Sequence, residues 1–321
     1  MDIFSIILII LGLCLFEAIS SIDNAVVNAE VLSTMGAKSR RWFLLWGIIT
    51  SVFIVRGLLP WLIVLFSNPS LGFMGSFTAT FSNDPHIIES VEKSSPMLLL
   101  GGGIFLIFLF FNWLFIEPKK FGLPGERFLS KQGAWFYAVV SILLAFIVWF
   151  ALKAQPLMAF AATLGSSAFF ITHGFKMYAE QEEEKLKSGK KGGLSDISKL
   201  LYLEVLDATF SIDGVVGAFA FTLSVPLIII GNGLGALIVR QLTIKGADKI
   251  KKYAYLKNGA MYSILFLGTF MILDSFGFHI PQYASPLATF AVIGYFFFKS
   301  KKENDKLFIG GTLEKTIVDG K

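Results

Sequence analysis

The segment Glu17–Asn24, with the sequence EAISSIDN, places two carboxylates inside a long apolar run near the start of the chain. A second segment, Asp207–Gly214 (DATFSIDG), repeats the pattern 190 residues later. Ser-Ile-Asp is identical in both, and a carboxylate stands six residues before each aspartate. A charged side chain at the centre of a bilayer costs roughly 2.5 to 3.5 kcal/mol, so a membrane helix rarely carries two without a use for them. The pattern therefore predicts that these acids form the functional site.

The composition of the 321-residue chain predicts a polytopic membrane protein. Apolar residues make up 55% of it and charged residues 16%, and there are 34 phenylalanines, more than a soluble domain could expose or bury. The single cysteine, Cys14, excludes an intramolecular disulfide framework and a thiolate metal cluster. The net charge of +5 requires no nucleic acid as a partner, because Lys and Arg accumulate in the cytoplasmic loops of membrane proteins.

Hydropathy predicts about nine transmembrane helices, judged against the roughly 20 residues that a helix needs to cross the hydrocarbon. Their expected positions are 3–31, 42–66, 96–116, 133–152, 157–174, 200–223, 226–243, 256–275 and 285–299. Lys and Arg are concentrated after every odd-numbered span, which predicts an external N-terminus and a cytoplasmic C-terminus. No basic segment or cleavage site precedes the first apolar run, so we expect a retained helix and not a cleaved signal peptide.

This topology predicts two halves of inverted orientation, because the two acidic motifs would cross the membrane in opposite directions. The predicted division is a first half at 1–178, a charged cytoplasmic linker at 179–199, a second half at 200–299 and a polar cytoplasmic tail at 300–321. Transporters with inverted repeats hold their substrate near the middle of the membrane, between the halves. The fold class is therefore expected to be an all-α transporter.

Helical spacing places most polar residues of each motif on one stripe. In the first motif these are Glu17, Ser21 and Asn24. In the second motif they are Glu204, Asp207 and Ser211. Asp23 and Asp213 fall about 120° away in a regular helix. Two interpretations remain open: both helices loosen around Ser-Ile-Asp, or both stay regular and these aspartates face a neighbouring helix.

The predicted site contains only hard oxygen donors. Its expected metal ligands are Glu17, Ser21, Asp23, Asn24, Glu204, Asp207, Ser211 and Asp213. Oxygen ligands suit Mg²⁺, Ca²⁺ and Mn²⁺, whereas copper and zinc recruit nitrogen or sulfur. Opposed carboxylates repel one another unless a cation or protons neutralise them, so we expect metal and protons to compete. The cation is expected as the substrate, with no prosthetic group.

The residues resemble a known family. Glu17-x3-Ser21-x-Asp23-Asn24 resembles the first motif of the TerC family, named for tellurium resistance. The segment from Glu204 to Asp213, with Asp207 and Phe210 between them, resembles its second motif. The resemblance, to a divergent branch of that family, implies the helical superfamily that includes the lysine exporters, and export of manganese or a related divalent cation. The chain departs from the family at one place: Gly214-Val215-Val216 stands where the family has Ser followed by Ile-Pro-Ala. A hydroxyl ligand is therefore missing, and the motif does not determine which cation is carried.

Other function classes remain to be weighed. A metal-sensing protein or an assembly scaffold would not require mirrored carboxylates. An intramembrane aspartyl protease needs two membrane aspartates that share a proton, and Asp23 and Asp213 would suffice, but the additional acids and the lack of a Gly-x-Gly-Asp segment count against it. We therefore expect no enzyme, but a proton-coupled cation exporter of the plasma membrane whose partners are lipid, metal and protons.

Overall fold

The computed structural model describes residues 2–33, 35–47, 58, 61–62, 65, 71–81, 85–119, 121–187, 196–245 and 253–318. Every regular element within these ranges is helical. The helices are α1 (Ile3–Ser20), α2 (Ile22–Ser33), α3 (Ala37–Trp42), a π-helical turn (Phe43–Gly47), α4 (Gly72–Phe81), α5 (Pro85–Phe115), α6 (Pro124–Leu129), α7 (Ala134–Ala154), α8 (Pro156–Lys187), α9 (Asp196–Ala218), α10 (Val225–Lys245), α11 (Leu256–Ser275) and α12 (Ala284–Val318). The chain is thus an all-α protein, as expected.

Five helical segments of the described ranges are long and apolar enough to cross a bilayer. They are Ile3–Ser20, Ser95–Phe115, Ala134–Ala154, Pro156–Tyr178 and Leu256–Ser275. Each overlaps one of the nine predicted spans. Helices α9, α10 and α12 overlap three further predicted spans, and most of the predicted span 42–66 lies outside the described residues. The nine spans, the inverted halves and the orientation in the membrane remain predictions.

The core is built around α5, which packs between α8 and α11. Leu100, Ile104 and Phe108 recur every four residues along α5 and are each no more than 1% exposed, as expected for a helix covered on its apolar face. A Cβ added at Gly103 would lie 2.9 Å from the carbonyl oxygen of Gly268 in α11. Small residues allow this close approach of two helix backbones, which is typical of helix packing in membranes.

The outer surface of the bundle is apolar along α7. Tyr137, Phe146 and Trp149 are each at least 60% exposed. Apolar side chains of this size cover the lipid-facing surface of a membrane helix at little cost, whereas in water they would form an adhesive patch. The described bundle therefore suits a lipid surrounding, in agreement with the composition.

The first predicted span is interrupted at Ser21. Helix α1 ends at Ser20 and α2 begins at Ile22, and Ser21 has φ −91° and ψ 7°. The Ser21 N–H still donates to the Glu17 carbonyl at 3.1 Å, and the Ala25 N–H donates to the Ser21 carbonyl at 3.1 Å. The interruption is therefore a local distortion that leaves these two carbonyls bonded.

The second motif shows no such interruption. Helix α9 runs unbroken from Asp196 to Ala218, through all of Ser211-Ile212-Asp213. The interpretation in which both helices loosen is therefore wrong for the second motif, where Gly214 continues the helix. Asp213 therefore lies in a regular helix and faces its neighbours, which is the second of the two interpretations.

Helices extend into the predicted linker and tail. Helix α8 continues to Lys187 and α9 begins at Asp196, while 188–195 lies outside the described residues. Helix α12 continues to Val318 and so includes most of the predicted tail. The division into two halves remains a prediction.

Candidate functional site

Glu17 lies in the protein interior, where α1 packs against α10 and α9. Its side chain is 1% exposed, and that of Ser21 is 8% exposed. The Ser21 hydroxyl donates to Glu17 Oε1 at 2.7 Å. The distortion at Ser21 keeps this serine one turn after Glu17, so the structure brings these two residues of the first motif together on one face.

Glycines of two other helices make room for Glu17. A Cβ at Gly214 of α9 would lie 2.7 Å from Glu17 Oε2, and a Cβ at Gly235 of α10 would lie 2.6 Å from Glu17 Cβ. Glu17 therefore fits between the backbones of α9 and α10, which only small residues permit. The departure at Gly214 has a physical reason, because the Glu17 carboxylate takes the space that a serine Cβ would fill.

Asp213 lines a small cavity between α5, α8 and α9. The cavity has a volume of about 10 Å³, enough for about one water molecule. Its lining residues are Phe105, Leu109, Phe169, Thr172, His173, Lys176 and Asp213. The second aspartate of the motif thus faces a histidine, a hydroxyl and an ammonium group among aromatic side chains.

His173 is held in this cavity by two contacts. Its ring stacks on Phe169 with centroids 5.6 Å apart and planes 7° apart, and its Nε2 lies 3.3 Å from Asn112 Nδ2. The Asn112 amide can donate to Nε2 of the neutral ring. The orientation of His173 is therefore set by α5 and by its own helix.

Glu204 lies on α9 two turns before the cavity. Its carboxylate contacts Gly47 in the π-helical turn, and its neighbour Leu203 is buried in a cluster with Val31, Leu32, Met35 and Phe43. Glu204 therefore contacts the segment that follows the first motif. The structure gives it different neighbours from those of Glu17 and Asp213.

Four of the eight predicted ligands have side chains outside the described residues: Asp23, Asn24, Asp207 and Ser211. Their part in the site remains a prediction. Among the side chains that the structure does describe, no three His, Cys, Asp or Glu residues stand in a group that could hold a metal ion.

The site residues predicted from the sequence do not include Asn112, Thr172, His173 or Lys176. The sequence did contain a signal for this site, because Thr172 and Lys176 are four residues apart and therefore lie on one helix face. A polar helix face within an apolar run is a pattern that the sequence alone reveals. Its meeting with Asp213 depends on packing between α8 and α9, which the sequence does not specify.

A further buried carboxylate lies where α6 meets α11. Glu126 is 2% exposed, and its Oε2 accepts hydrogen bonds from the Leu123 N–H at 2.9 Å and from Asn258 Nδ2 at 2.6 Å. Nearby, the Lys119 ammonium donates to the Trp113 carbonyl and lies 3.4 Å from the centre of the Trp113 ring. Burial lowers the pKa of Lys119 to about 8. The hydrogen bond between Glu126 and Asn258 joins the short helix α6 to α11.

Comparison with known proteins assigns a family. Residues 22–307 match the family described as "Protein of unknown function (DUF475)". The chain belongs to the DUF475 family. In this DUF475 protein the matched region includes Asp23, Asn24 and the whole second motif, whereas Glu17 and Ser21 precede it. No curated protein and no solved structure matches the chain, and the likeness to TerC remains a resemblance of motifs.

Proposed function

We propose that this DUF475 protein transports a hard divalent cation, manganese first, outward across the plasma membrane in exchange for protons. One observation supports the proposal above the others. Glu17 is 1% exposed, and its carboxylate lies against Gly214, the residue that follows Asp213. A buried carboxylate of the first motif thus contacts the backbone of the second motif inside a bundle of apolar helices.

The burial of Glu17 motivates the exchange mechanism. An ionised carboxylate removed from water costs several kcal/mol unless an opposite charge compensates it. In the proposed cycle, a proton and a metal cation supply this compensation in turn, so that the site is never left charged during passage. Metal binding and protonation are then mutually exclusive, which couples export of the cation to import of protons.

In the proposed site, other polar residues of the two motifs supply the remaining ligands of the cation. Ser21, Asp23, Asn24, Asp207, Ser211 and Asp213 would complete an oxygen-rich site with Glu17. Glu204, which contacts Gly47, would not bind the same ion directly. Such a site suits Mn²⁺, with Mg²⁺ and Ca²⁺ as the other hard cations. Rocking of two halves would expose it to each side of the membrane in turn.

Binding measurements on purified protein in detergent test the proposal. Calorimetric titrations with Mn²⁺, Mg²⁺, Ca²⁺ and Zn²⁺ should give binding of at least one hard cation, and Asp23→Asn and Glu17→Gln should each abolish it. Asp2→Asn is the matched control. Asp2 is an exposed carboxylate outside both motifs that accepts from the Ser5 N–H at 3.3 Å, and asparagine keeps this helix cap.

The outcomes separate the candidate functions. Binding of zinc alone, or hard-cation binding that survives both motif substitutions, would contradict the proposal. Binding without flux through reconstituted vesicles would instead favour a metal-sensing protein.

A further inference from the structure

The cavity that Asp213 lines contains one carboxylate and one ammonium group. Lys176 of α8 and Asp213 of α9 both line it, and opposite charges that share a small cavity attract each other. Phe105, Leu109 and Phe169 form its apolar walls. Because the cavity holds only about one water molecule and has apolar walls, its local dielectric is low, which strengthens the attraction between opposite charges.

Other charged and titratable groups near the cavity are less available to Asp213. His173 is already stacked on Phe169 and lies within hydrogen-bonding distance of Asn112. Glu117 repels Asp213 and is itself paired with Lys257 at 2.7 Å. Lys176 is the lysine that lines the cavity together with this aspartate, and a lysine carries its ammonium on a flexible four-carbon stem.

We infer that Lys176 is the resident counter-ion of Asp213 and competes with the transported cation for that carboxylate. The counter-ion role rests on the cavity that the two side chains share, whereas the competition rests on the proposed function. When no metal is bound, the ammonium neutralises the aspartate. A divalent cation that approaches Asp213 must displace it, and the stem of Lys176 lets the ammonium move away without a change in the backbone.

This arrangement would set both affinity and direction. A tethered cation weakens binding of the metal by the free energy of the pair that is lost, and it restores a neutral site as soon as the metal leaves. Lys176 lies two residues before the end of the candidate span Pro156–Tyr178. In the predicted topology that end is cytoplasmic, where an exported cation would enter.

A double-mutant cycle tests the ion pair without any metal. Thermal unfolding in detergent is measured for Lys176→Met, for Asp213→Asn and for the double variant. Each single variant should unfold at a lower temperature than the wild type, and the double variant should lose clearly less than both losses together, because neither charge is then left alone. Lys153→Met, at an exposed lysine of α7, is the control and should show no coupling with Asp213→Asn. Additive losses at Lys176 and Asp213 would overturn the inference.

Manganese titration tests the competition. Lys176→Met should tighten Mn²⁺ binding by about tenfold in Kd, which corresponds to about 1.4 kcal/mol. Lys176→Arg should keep the wild-type affinity because it keeps the charge. If the wild type binds Mn²⁺ and Lys176→Met binds it no more tightly, the competition is refuted although the proposed function stands. If the double-mutant cycle shows coupling and neither the wild type nor any variant binds a cation, the proposed function is refuted and the counter-ion role of Lys176 stands.

Discussion

Replacement of Gly235 by alanine tests the packing that holds Glu17 in place. A Cβ at this position would lie 2.7 Å from the Cys14 carbonyl oxygen and 2.6 Å from Glu17 Cβ. The first distance is about 0.7 Å short of the 3.4 Å at which ordinary contacts begin. The Cys14 oxygen belongs to the backbone of α1 and cannot rotate away, so α1 must move as a whole. Overpacking of this kind costs about 1 to 3 kcal/mol.

The assay is thermal unfolding of the purified protein in one detergent, with Gly294→Ala as the control. A Cβ at Gly294 of α12 would meet nothing within 4 Å, and alanine is favoured over glycine in a helix by about 1 kcal/mol. Gly294→Ala should therefore match or exceed the wild-type stability, while Gly235→Ala unfolds at a lower temperature. Unchanged or raised stability of Gly235→Ala would show that α1 and α10 do not pack this closely, and the position assigned to Glu17 would be wrong.

Three further predictions concern other parts of the chain. Asn258→Ala removes a donor from the buried Glu126 carboxylate and should lower the free energy of unfolding by about 1 to 3 kcal/mol. Thermal unfolding measures this loss, with Glu126→Gln, which keeps the shape of the side chain, compared alongside. Equal stability of Asn258→Ala and the wild type would count against the prediction. Because burial lowers the pKa of Lys119 from 10.5 to about 8, the folded state binds this proton less well than the unfolded state. The stability of the wild type relative to Lys119→Met should therefore rise from about pH 8 to 10.5 and stay constant below pH 8. A stability difference between the two proteins that does not change with pH would refute the prediction. Ser188→Cys in a Cys14→Ser background should react with impermeant thiol reagents from the cytoplasmic side only, and labelling from outside would overturn the inverted topology.

The fold was predictable where hydropathy alone decides the structure. The apolar segments within α5, α7, α8 and α11 lie within a few residues of the predicted spans, because about 20 apolar residues without a break have few other options in a membrane. The sequence left open whether the two helices loosen around Ser-Ile-Asp; the structure shows a distortion at Ser21 in the first motif and an unbroken helix α9 in the second. A glycine permits a break without enforcing one, and its use here is to admit Glu17 from another helix.

The candidate site was predictable in its residue types and less so in its partners. Burial of Glu17 beside Ser21 follows from their four-residue spacing in an apolar helix. The contact of Glu17 with Gly214, and the cavity that Asp213 shares with Lys176, arise between different helices. Such contacts depend on which helix faces meet, and one sequence contains no direct record of that.

Manganese flux through reconstituted vesicles tests the central claim most directly. The wild type and the Asp23→Asn/Asp213→Asn double variant are incorporated into liposomes that contain a manganese-quenched dye, and quenching is followed with and without a pH gradient. Asparagine keeps the shape of each aspartate and removes its charge. We expect the wild type to move Mn²⁺ faster when the pH gradient is present. The double variant should move Mn²⁺ no faster than protein-free liposomes do. Undiminished flux in the double variant, or wild-type flux indifferent to the gradient, would contradict the central claim.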